Sequence, residues 1–184
     1  MHYSIDWITN KFDEGDPVKY LFFWGHRPSK DGQISKSCFS QWWEGEFTVE
    51  GIVYRSAEHW MMAEKARQFK DEEVLQKILT AQSPAEAKKL GRAVRNFIPQ
   101  EWNANKYEIV KQGNLHKFSQ DEALKSLLLN TGKRVLVEAS PYDRIWGIGM
   151  SARDEGIENP HNWRGENLLG FALMEVRDEL ITQS

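Results

Sequence analysis

Residues 56–66 read SAEHWMMAEKA, and this stretch decides more about the fold and the function than any other part of the chain. Ser56 is a favourable N-cap residue, so the stretch predicts a helix over residues 57–69. Glu58 and Lys65 are seven residues apart. On a helix that spacing places them roughly 20° apart around the axis and about two turns apart along it. One face of the predicted helix therefore carries a carboxylate and an ammonium group.

The two charged groups share their stripe with Met61 and Met62, and this leaves two interpretations. If the stripe faces inward, both groups lose water, and their pKa values respond to burial and to each other. A desolvated lysine can then attack a carbonyl carbon, and a carboxylate beside it can move protons. If the stripe faces outward, Glu58 and Lys65 are ordinary solvated residues, since both are good helix formers.

Outward from this helix, the chain predicts a mixed α+β domain that is mostly α-helical with a small antiparallel sheet. Residues 47–49 and 52–54 flank a Glu-Gly pair and predict a β-hairpin, because glycine supplies the positive φ of the turn. Short strands are predicted at 20–24 and 134–138. Further helices are predicted to start at Asp71 and Ser83, to cover residues 100–118 and 121–130, and to run as an amphipathic helix from an Asn167 cap to Leu180.

The composition is that of one globular domain, expected over residues 1–184. Hydrophobic residues make up 40% of the chain and charged residues 28%, and there are eight tryptophans. A net charge of −3 argues against nucleic-acid binding over the whole surface. A single cysteine, Cys38, excludes an intrachain disulfide, and the first residues lack the pattern of a signal peptide. The apolar runs are too short to cross a membrane, so we expect a cytoplasmic protein.

The irregular segment over residues 140–165 is a second place where a site is expected, because functional side chains are often held on loops. It contains Asp143 and Trp146 close together in sequence. The Gly-Ile-Gly at 147–149 lacks the remainder of a dinucleotide fingerprint. Arg92 and two nearby lysines fit either a phosphate site or an ordinary solvated helix face. The histidines are scattered without metal-binding spacing, so no metal site is expected.

Taken in order, the motifs of the chain resemble those of the NADAR family, also called YbiA-like. The resemblance covers about residues 20–180 and leaves residues 1–17 as an accessory segment. It rests on FFWG at 22–25, FSQW at 39–42, SAEHW at 56–60, EKA at 64–66, AKKLGR at 87–92, Trp102, KF at 117–118, LVE at 136–138, DRIWGIG at 143–149 and GENLLG at 165–170. Their order and spacing are far more specific than any single motif.

The resemblance implies a single YbiA-like domain with N-glycosidase activity, which is cleavage of the bond between ribose C1′ and a nitrogen. It implies two substrates and does not choose between them. One is ADP-ribose attached to guanine in nucleotides or nucleic acid, which would pair the protein functionally with an ADP-ribosyltransferase toxin. The other is the set of ribosylaminopyrimidine phosphates in riboflavin synthesis. Neither reaction needs a cofactor.

The resemblance, together with the charge that builds up at C1′ during cleavage, assigns roles to residues. Lys65 is expected to be a nucleophile or an electrostatic catalyst, Glu58 a proton-transfer group, and Asp143 the partner of a ribose hydroxyl or of C1′. The expected substrate-binding residues are Trp102, Trp146, Gly147, Arg92, Phe39, Ser40 and Asn167. Some family members carry an aspartate where this chain has Ile148, which leaves the choice of substrate open.

A non-hydrolytic module that binds NAD or ADP-ribose is the alternative function. Such a module needs stacking aromatic rings and Arg92, but it needs neither Glu58 nor Lys65. A purely structural or partner-binding domain predicts no compact polar pocket around these two residues. The presence of both polar residues favours an enzyme, and their place in the fold tests the structural alternative.

Overall fold

The computed structural model describes residues 1–183 and confirms the expected class, a mainly helical α+β fold. Its elements in chain order are α1 (Ile5–Asp13), β1 (Tyr20–Phe23), β2 (Phe47–Val49), β3 (Ile52–Tyr54), α2 (Ala57–Gln68), α3 (Glu72–Thr80), α4 (Pro84–Arg92), α5 (Pro99–Ser119), α6 (Glu122–Leu129), β4 (Val135–Glu138) and α7 (Leu168–Thr182). Short 3-10 turns lie at Lys36–Phe39 and Pro160–Asn162. No helix within residues 1–183 combines the length and the apolar character that a membrane crossing needs.

The strands form two separate pairs. Strands β2 and β3 make the predicted antiparallel hairpin, with Gly51 at a φ of 80° in its turn. Strands β1 and β4 pair in parallel, with Tyr20 opposite Val135 and Phe23 opposite Glu138. The sequence patterns did not specify this parallel pair, because it joins two short apolar runs that are distant along the chain. The parallel pair brings the loops that follow both strands to one edge of the molecule.

The first helix, α1, lies in a part of the chain for which the sequence suggested no element. The Ser4 side chain accepts a hydrogen bond from the Trp7 backbone N–H and so caps the helix. Ile8 is fully buried, and the Trp7 ring meets Phe171 of α7 edge-on at 6.5 Å between ring centroids. This segment therefore contributes side chains to the same core as the rest of the domain.

Helix α7 differs from the expected amphipathic helix, because residues on most of its circumference are buried between α5 and β4. Asn167 occupies the N-cap position, but its side chain makes no capping hydrogen bond. Its amide instead accepts from the Glu138 backbone N–H at 2.9 Å and donates to the Leu136 carbonyl at 3.0 Å. The expected cap is thus corrected to a tie between the start of α7 and strand β4.

Two close approaches bring the helices around α2 into place. A Cβ at Gly91 of α4 would lie 2.0 Å from the Met62 sulfur of α2, so the glycine lets the two helices pack tightly. This contact accounts for a glycine inside a helix, where it costs about 1 kcal/mol relative to alanine. On α5, the buried Lys117 ammonium donates to the carbonyls of Cys38 and Ser40 at 2.6 and 2.9 Å. The 38–40 turn is therefore held against α5.

The contact between α7 and β4 gives a first prediction. A Cβ at Gly170 would lie 2.1 Å from the Leu136 carbonyl oxygen, which is a backbone atom and cannot turn aside. We expect Gly170→Ala to lower the free energy of unfolding by about 1–3 kcal/mol, because the helix must move off the strand. The loss should appear in denaturant unfolding even though alanine is the better helix former by about 1 kcal/mol.

The matched control for this experiment is Ser126→Ala on the exposed face of α6. It should leave the unfolding free energy within about 0.5 kcal/mol of the parent value. A Gly170→Ala variant as stable as this control would contradict the close packing of α7 against β4.

Candidate active site

A cavity of about 600 Å³ opens where α2 and α4 meet the segments that follow β1 and β4. Within the described chain its lining includes three carboxylates, three cationic side chains and a set of aromatic rings. The lining residues are Trp24, Gly25, His26, Ser40, Gln41, Trp42, Glu58, Met61, Met62, Lys65, Lys88, Gly91, Arg92, Trp102, Glu138, Ser140, Tyr142, Asp143 and Trp146. The stripe of α2 that carries Glu58 and Lys65 thus faces inward.

Glu58 lies in the first turn of α2 and is 4% exposed. Burial raises the pKa of its carboxyl to about 7, and the Asp143 carboxylate adds to the rise. Lys88, a hydrogen bond with Trp42, and Arg92 lower the pKa and so oppose part of this effect. A carboxyl with a pKa near neutrality can both accept and release a proton at working pH.

Lys65 lies near the other end of α2, and within residues 1–183 no carboxylate forms an ion pair with it. Its Nζ donates to the Gly91 carbonyl at 2.8 Å and lies 4.2 and 5.8 Å from the ring centroids of Phe97 and Trp102. Burial lowers the pKa of the amine. The neutral amine is the nucleophilic form, so a lowered pKa is what a nucleophilic lysine would need.

Asp143 sits in the irregular segment after β4, and the backbone holds its carboxylate. Oδ1 accepts from the N–H groups of Ile145 and Trp146 at 2.9 and 2.7 Å. The Asp143 N–H donates to the Ser140 hydroxyl at 3.2 Å. This turn brings the carboxylate and the half-buried Trp146 ring to the cavity wall together.

Glu138 is a cavity residue to which the sequence analysis gave no role. It ends strand β4, and its Oε2 is buried with no hydrogen-bond partner in the described part of the chain. Burial raises the pKa of this carboxyl to about 8, with Asp143 and Glu58 adding to the rise and Lys88 opposing it. A signal was present in the sequence, because an acidic residue ends an otherwise apolar run predicted to be a buried strand.

The cationic side of the cavity comes from α4. Lys88 and Arg92 both line the cavity, and the Lys88 Nζ lies 5.7 Å from the centroid of the Trp42 ring. These two residues therefore reach the cavity, as a phosphate site would require. Lys89, the neighbouring lysine, is exposed and lies outside the cavity lining.

Seven of the ten expected site residues line the cavity, namely Lys65, Glu58, Asp143, Trp102, Trp146, Arg92 and Ser40. The structure places the other three behind its wall. Phe39 is fully buried against Phe23 at 5.6 Å between ring centroids, so it belongs to the core. A Cβ at Gly147 would lie 2.9 Å from the Glu138 carbonyl oxygen. Gly147 and Asn167 lie outside the lining of the cavity, and their expected contacts with the substrate stay predictions.

The mouth of the cavity carries two exposed aromatic rings. Trp24 is 55% exposed and Tyr142 is 86% exposed, and their ring centroids are 6.0 Å apart. Trp24 follows β1, whereas Tyr142 follows β4, so the parallel strand pair brings the two rings together. We call Trp24 and Tyr142 the rim pair. Within residues 1–183, no group of three or more His, Cys, Asp or Glu side chains is arranged to hold a metal ion.

The fold and this cavity define the class of protein: the chain belongs to the NADAR family, and the NADAR domain model matches residues 22–181. It is 44% identical to N-glycosidase R617 of Acanthamoeba polyphaga mimivirus over 88% of this chain and 96% of that protein. It is 31% identical to N-glycosidase YbiA of Escherichia coli (strain K12) over 78% of this chain and 79% of YbiA.

A solved structure agrees with the sequence relatives. The NMR structure of the E. coli protein YbiA superposes with a TM-score of 0.72 at 26% identity, over 90% of this chain and 86% of that one. The resemblance drawn from the motifs is therefore confirmed, as is the YbiA-like fold that it implied.

The supporting role of Asn167 can be tested. Asn167→Ala removes both side-chain hydrogen bonds and leaves the Glu138 N–H and the Leu136 carbonyl unpaired in the interior. We expect the free energy of unfolding to fall by about 2–4 kcal/mol, measured by denaturant titration. Asn103→Ala, an exposed position on α5, is the control and should change it by less than about 0.5 kcal/mol. An Asn167→Ala protein of parental stability that binds substrate weakly would instead indicate direct substrate contact.

Proposed function

We propose that the chain is an N-glycosidase that hydrolyses the bond between ribose C1′ and a base nitrogen in a phosphorylated ribosyl substrate. The observation that carries the proposal is one cavity in which Glu58, with a pKa near 7, and Lys65, a desolvated amine, lie beside aromatic rings. A binding module needs the aromatic rings and the cationic side chains, but it does not need a carboxyl and an amine with shifted pKa values. The names of the relatives R617 and YbiA support the same reaction class.

The residues fit the demands of C1′–N cleavage. The bond breaks with positive charge building at C1′ and with a proton needed on the departing nitrogen. Glu58 is the proton-transfer group, because its pKa lies near neutrality. Asp143, held by two backbone N–H groups, meets C1′ or a ribose hydroxyl. Lys65 acts as the nucleophile on a ring-opened C1′, or as an electrostatic catalyst.

Base and phosphate have separate surfaces in the cavity. The rings of Trp102 and Trp146 line its interior and offer flat faces on which a base can stack. Lys88 and Arg92 of α4 supply the positive charge that a phosphate or diphosphate needs. In the proposed binding mode, C1′ lies between the rings and the cations, on the side of the carboxylates.

Two substrates carry this chemistry, and the rim pair favours the larger one. ADP-ribose attached to guanine contains two ring systems joined through a diphosphate. The interior rings can hold one ring system, while Trp24 and Tyr142 at the mouth can hold the other. In this case the partner is a guanine nucleotide or nucleic acid modified by an ADP-ribosyltransferase toxin. Ribosylaminopyrimidine phosphate is the second candidate, because a cavity of about 600 Å³ can enclose it entirely.

The catalytic assignment predicts the behaviour of two variants. Glu58→Gln removes the titrating proton and Lys65→Ala removes the amine, so each should lower turnover at least about 100-fold. The measurement is release of free base from ADP-ribosylated guanine DNA and, in a parallel arm, from ribosylaminopyrimidine phosphate. Thermal unfolding should remain close to that of the parent.

Glu122→Gln and Lys89→Ala are the matched controls, since both residues are exposed and outside the cavity lining. Full activity in both cavity variants would refute the assignment. A parent protein that binds either compound without releasing base would be a binding module instead. Borohydride treatment separates the two roles of Lys65, because a substrate-dependent mass adduct marks a Schiff base and its absence leaves the electrostatic role.

The rim pair gives a prediction that discriminates between the substrates. We expect Tyr142→Ala and Trp24→Ala each to raise KM for ADP-ribosylated guanine about 10-fold, because one stacked base is worth about 1–3 kcal/mol. KM for ribosylaminopyrimidine phosphate should change less than about 2-fold. Ile145→Ala, on the same segment but outside the lining, is the control. Equal effects on both substrates would show that the rim does not select the larger one.

A further inference from the structure

Glu138 lines the cavity, but the mechanism proposed above gives it no role. One of its carboxyl oxygens also lacks a hydrogen bond among the described residues. This oxygen, Oε2, is buried, whereas the residue as a whole is half-buried. An ionised carboxylate is costly to bury without hydrogen-bond partners, whereas a neutral carboxylic acid is tolerated there more easily. The setting of Oε2 therefore favours a neutral acid at the cavity wall.

Hydrogen bonds fix the backbone of Glu138, so its side chain projects from a strand and not from a loop. The residue pairs with Phe23 in the parallel sheet, and its N–H is bound by Asn167. Its carbonyl accepts from the Ile148 N–H at 3.0 Å. Rigid elements hold functional groups more accurately than loops do, which suits a group that must reach one atom of the substrate.

We propose that Glu138 is the general acid of the cavity: it enters the reaction as a neutral carboxylic acid and gives its proton to the departing base nitrogen. The proposal rests on the N-glycosidase function proposed above and divides its proton transfers between two residues. Glu138 acts on the base, and Glu58 acts on the attacking water.

The step balances without any co-reactant other than water. The C1′–N bond breaks, its electron pair goes to the nitrogen, and that nitrogen takes the proton of Glu138. The water oxygen bonds to C1′ and passes one proton to ionised Glu58. The products are a ribose with a C1′ hydroxyl and a base with an N–H. A proton then returns from Glu58 to Glu138, through water or directly, and restores the starting state.

The surroundings of Glu138 explain why it, rather than Glu58, holds the proton. The charged groups that act on it are Asp143 from the loop, Glu58 from α2 and Lys88 from α4. Two of the three are acidic and disfavour its ionised form, and burial works in the same direction. Glu58 has Lys88, Arg92 and a hydrogen bond with Trp42 to favour its ionised form. Two carboxyls whose surroundings differ in this way divide into an acid and a base.

The test compares Glu138→Gln with Glu138→Asp on whichever substrate the parent protein cleaves. Glutamine keeps the shape and a hydrogen-bond donor but has no proton to transfer. We expect Glu138→Gln to lower kcat at least about 100-fold with KM changed less than about 3-fold, and Glu138→Asp to recover at least about 10-fold of that loss. Glu155→Gln, an exposed glutamate outside the cavity, should match the parent. A purely positioning or binding role would leave Glu138→Gln active, and that result would overturn the proposal.

The pH profile supplies a readout that a structural role would not change. A general acid must be protonated, so kcat/KM of the parent should fall as pH rises through the pKa of Glu138, near 8. This alkaline fall should be absent from the residual activity of Glu138→Gln. An unchanged alkaline limb in that variant would assign the fall to another group and overturn the proposal.

A direct titration separates this proposal from the function on which it rests. Carbon-13 NMR of the carboxyl carbons, with Glu138→Gln used to assign the signal, reports the protonation of Glu138 without any turnover. A neutral Glu138 at pH 7 supports the proton-donor role, and an ionised one refutes it. If the parent protein cleaves neither substrate, the proposed function fails, whereas the titration still decides whether Glu138 carries the proton.

Discussion

The Asn167 amide, bound to two backbone groups at the end of strand β4, is the interaction on which the cavity depends. It accepts from the Glu138 N–H and donates to the Leu136 carbonyl, while the Asn167 backbone N–H donates to the Gly147 carbonyl. One residue therefore joins the end of β4, the irregular segment and the start of α7. Its φ of 53° is left-handed, a conformation that asparagine tolerates better than most residues. The Asn167 side chain thus holds the wall of the cavity in place, although it does not line the cavity.

The irregular segment keeps its shape because nearly every turn in it is closed by backbone hydrogen bonds. Arg164 N–H donates to the Ile148 carbonyl at 2.8 Å, and Glu166 N–H donates to the Arg144 carbonyl at 3.0 Å. A Cβ at Gly165 would lie 2.3 Å from the Gly147 carbonyl oxygen. The backbones of the chain around Gly147 and around Gly165 are therefore in direct contact. A segment without helix or strand can position Asp143 accurately because its polar backbone groups are paired.

The sequence predicted what depends on neighbours along the chain. The caps at Asp71 and Ser83 are examples, because each side chain accepts a hydrogen bond from an N–H three residues later. The sequence did not predict the pairing of β1 with β4, because nothing in a short apolar run specifies which other strand it pairs with. Glu138 went without a role for the same reason: its significance comes from Glu58 and Asp143, which only the folded chain brings near it.

Motif matching had a different limit at the site. A motif shows that a residue is required, but it does not distinguish contact with the substrate from support of the residues that make contact. Phe39 and Asn167 belong to matched motifs, and the fold uses both of them behind the cavity wall. Lys65 and Glu58 belong to equally short motifs and face inward. The difference is set by tertiary packing, which places one face of α2 on the cavity and the 3-10 turn at Lys36–Phe39 in the core.

The tryptophans show how the cavity keeps its two glutamates, Glu58 and Glu138, chemically distinct. A buried indole N–H needs an acceptor, and Trp60 and Trp163 use the backbone carbonyls of Ile109 and Ile157. Trp42 instead hydrogen-bonds Glu58, which lowers the pKa of that carboxyl against the effect of burial. Its effect therefore falls on one member of the glutamate pair. An aromatic side chain at the wall thereby acts as an electrostatic element, because it favours the ionised form of Glu58, the residue that we propose as the base.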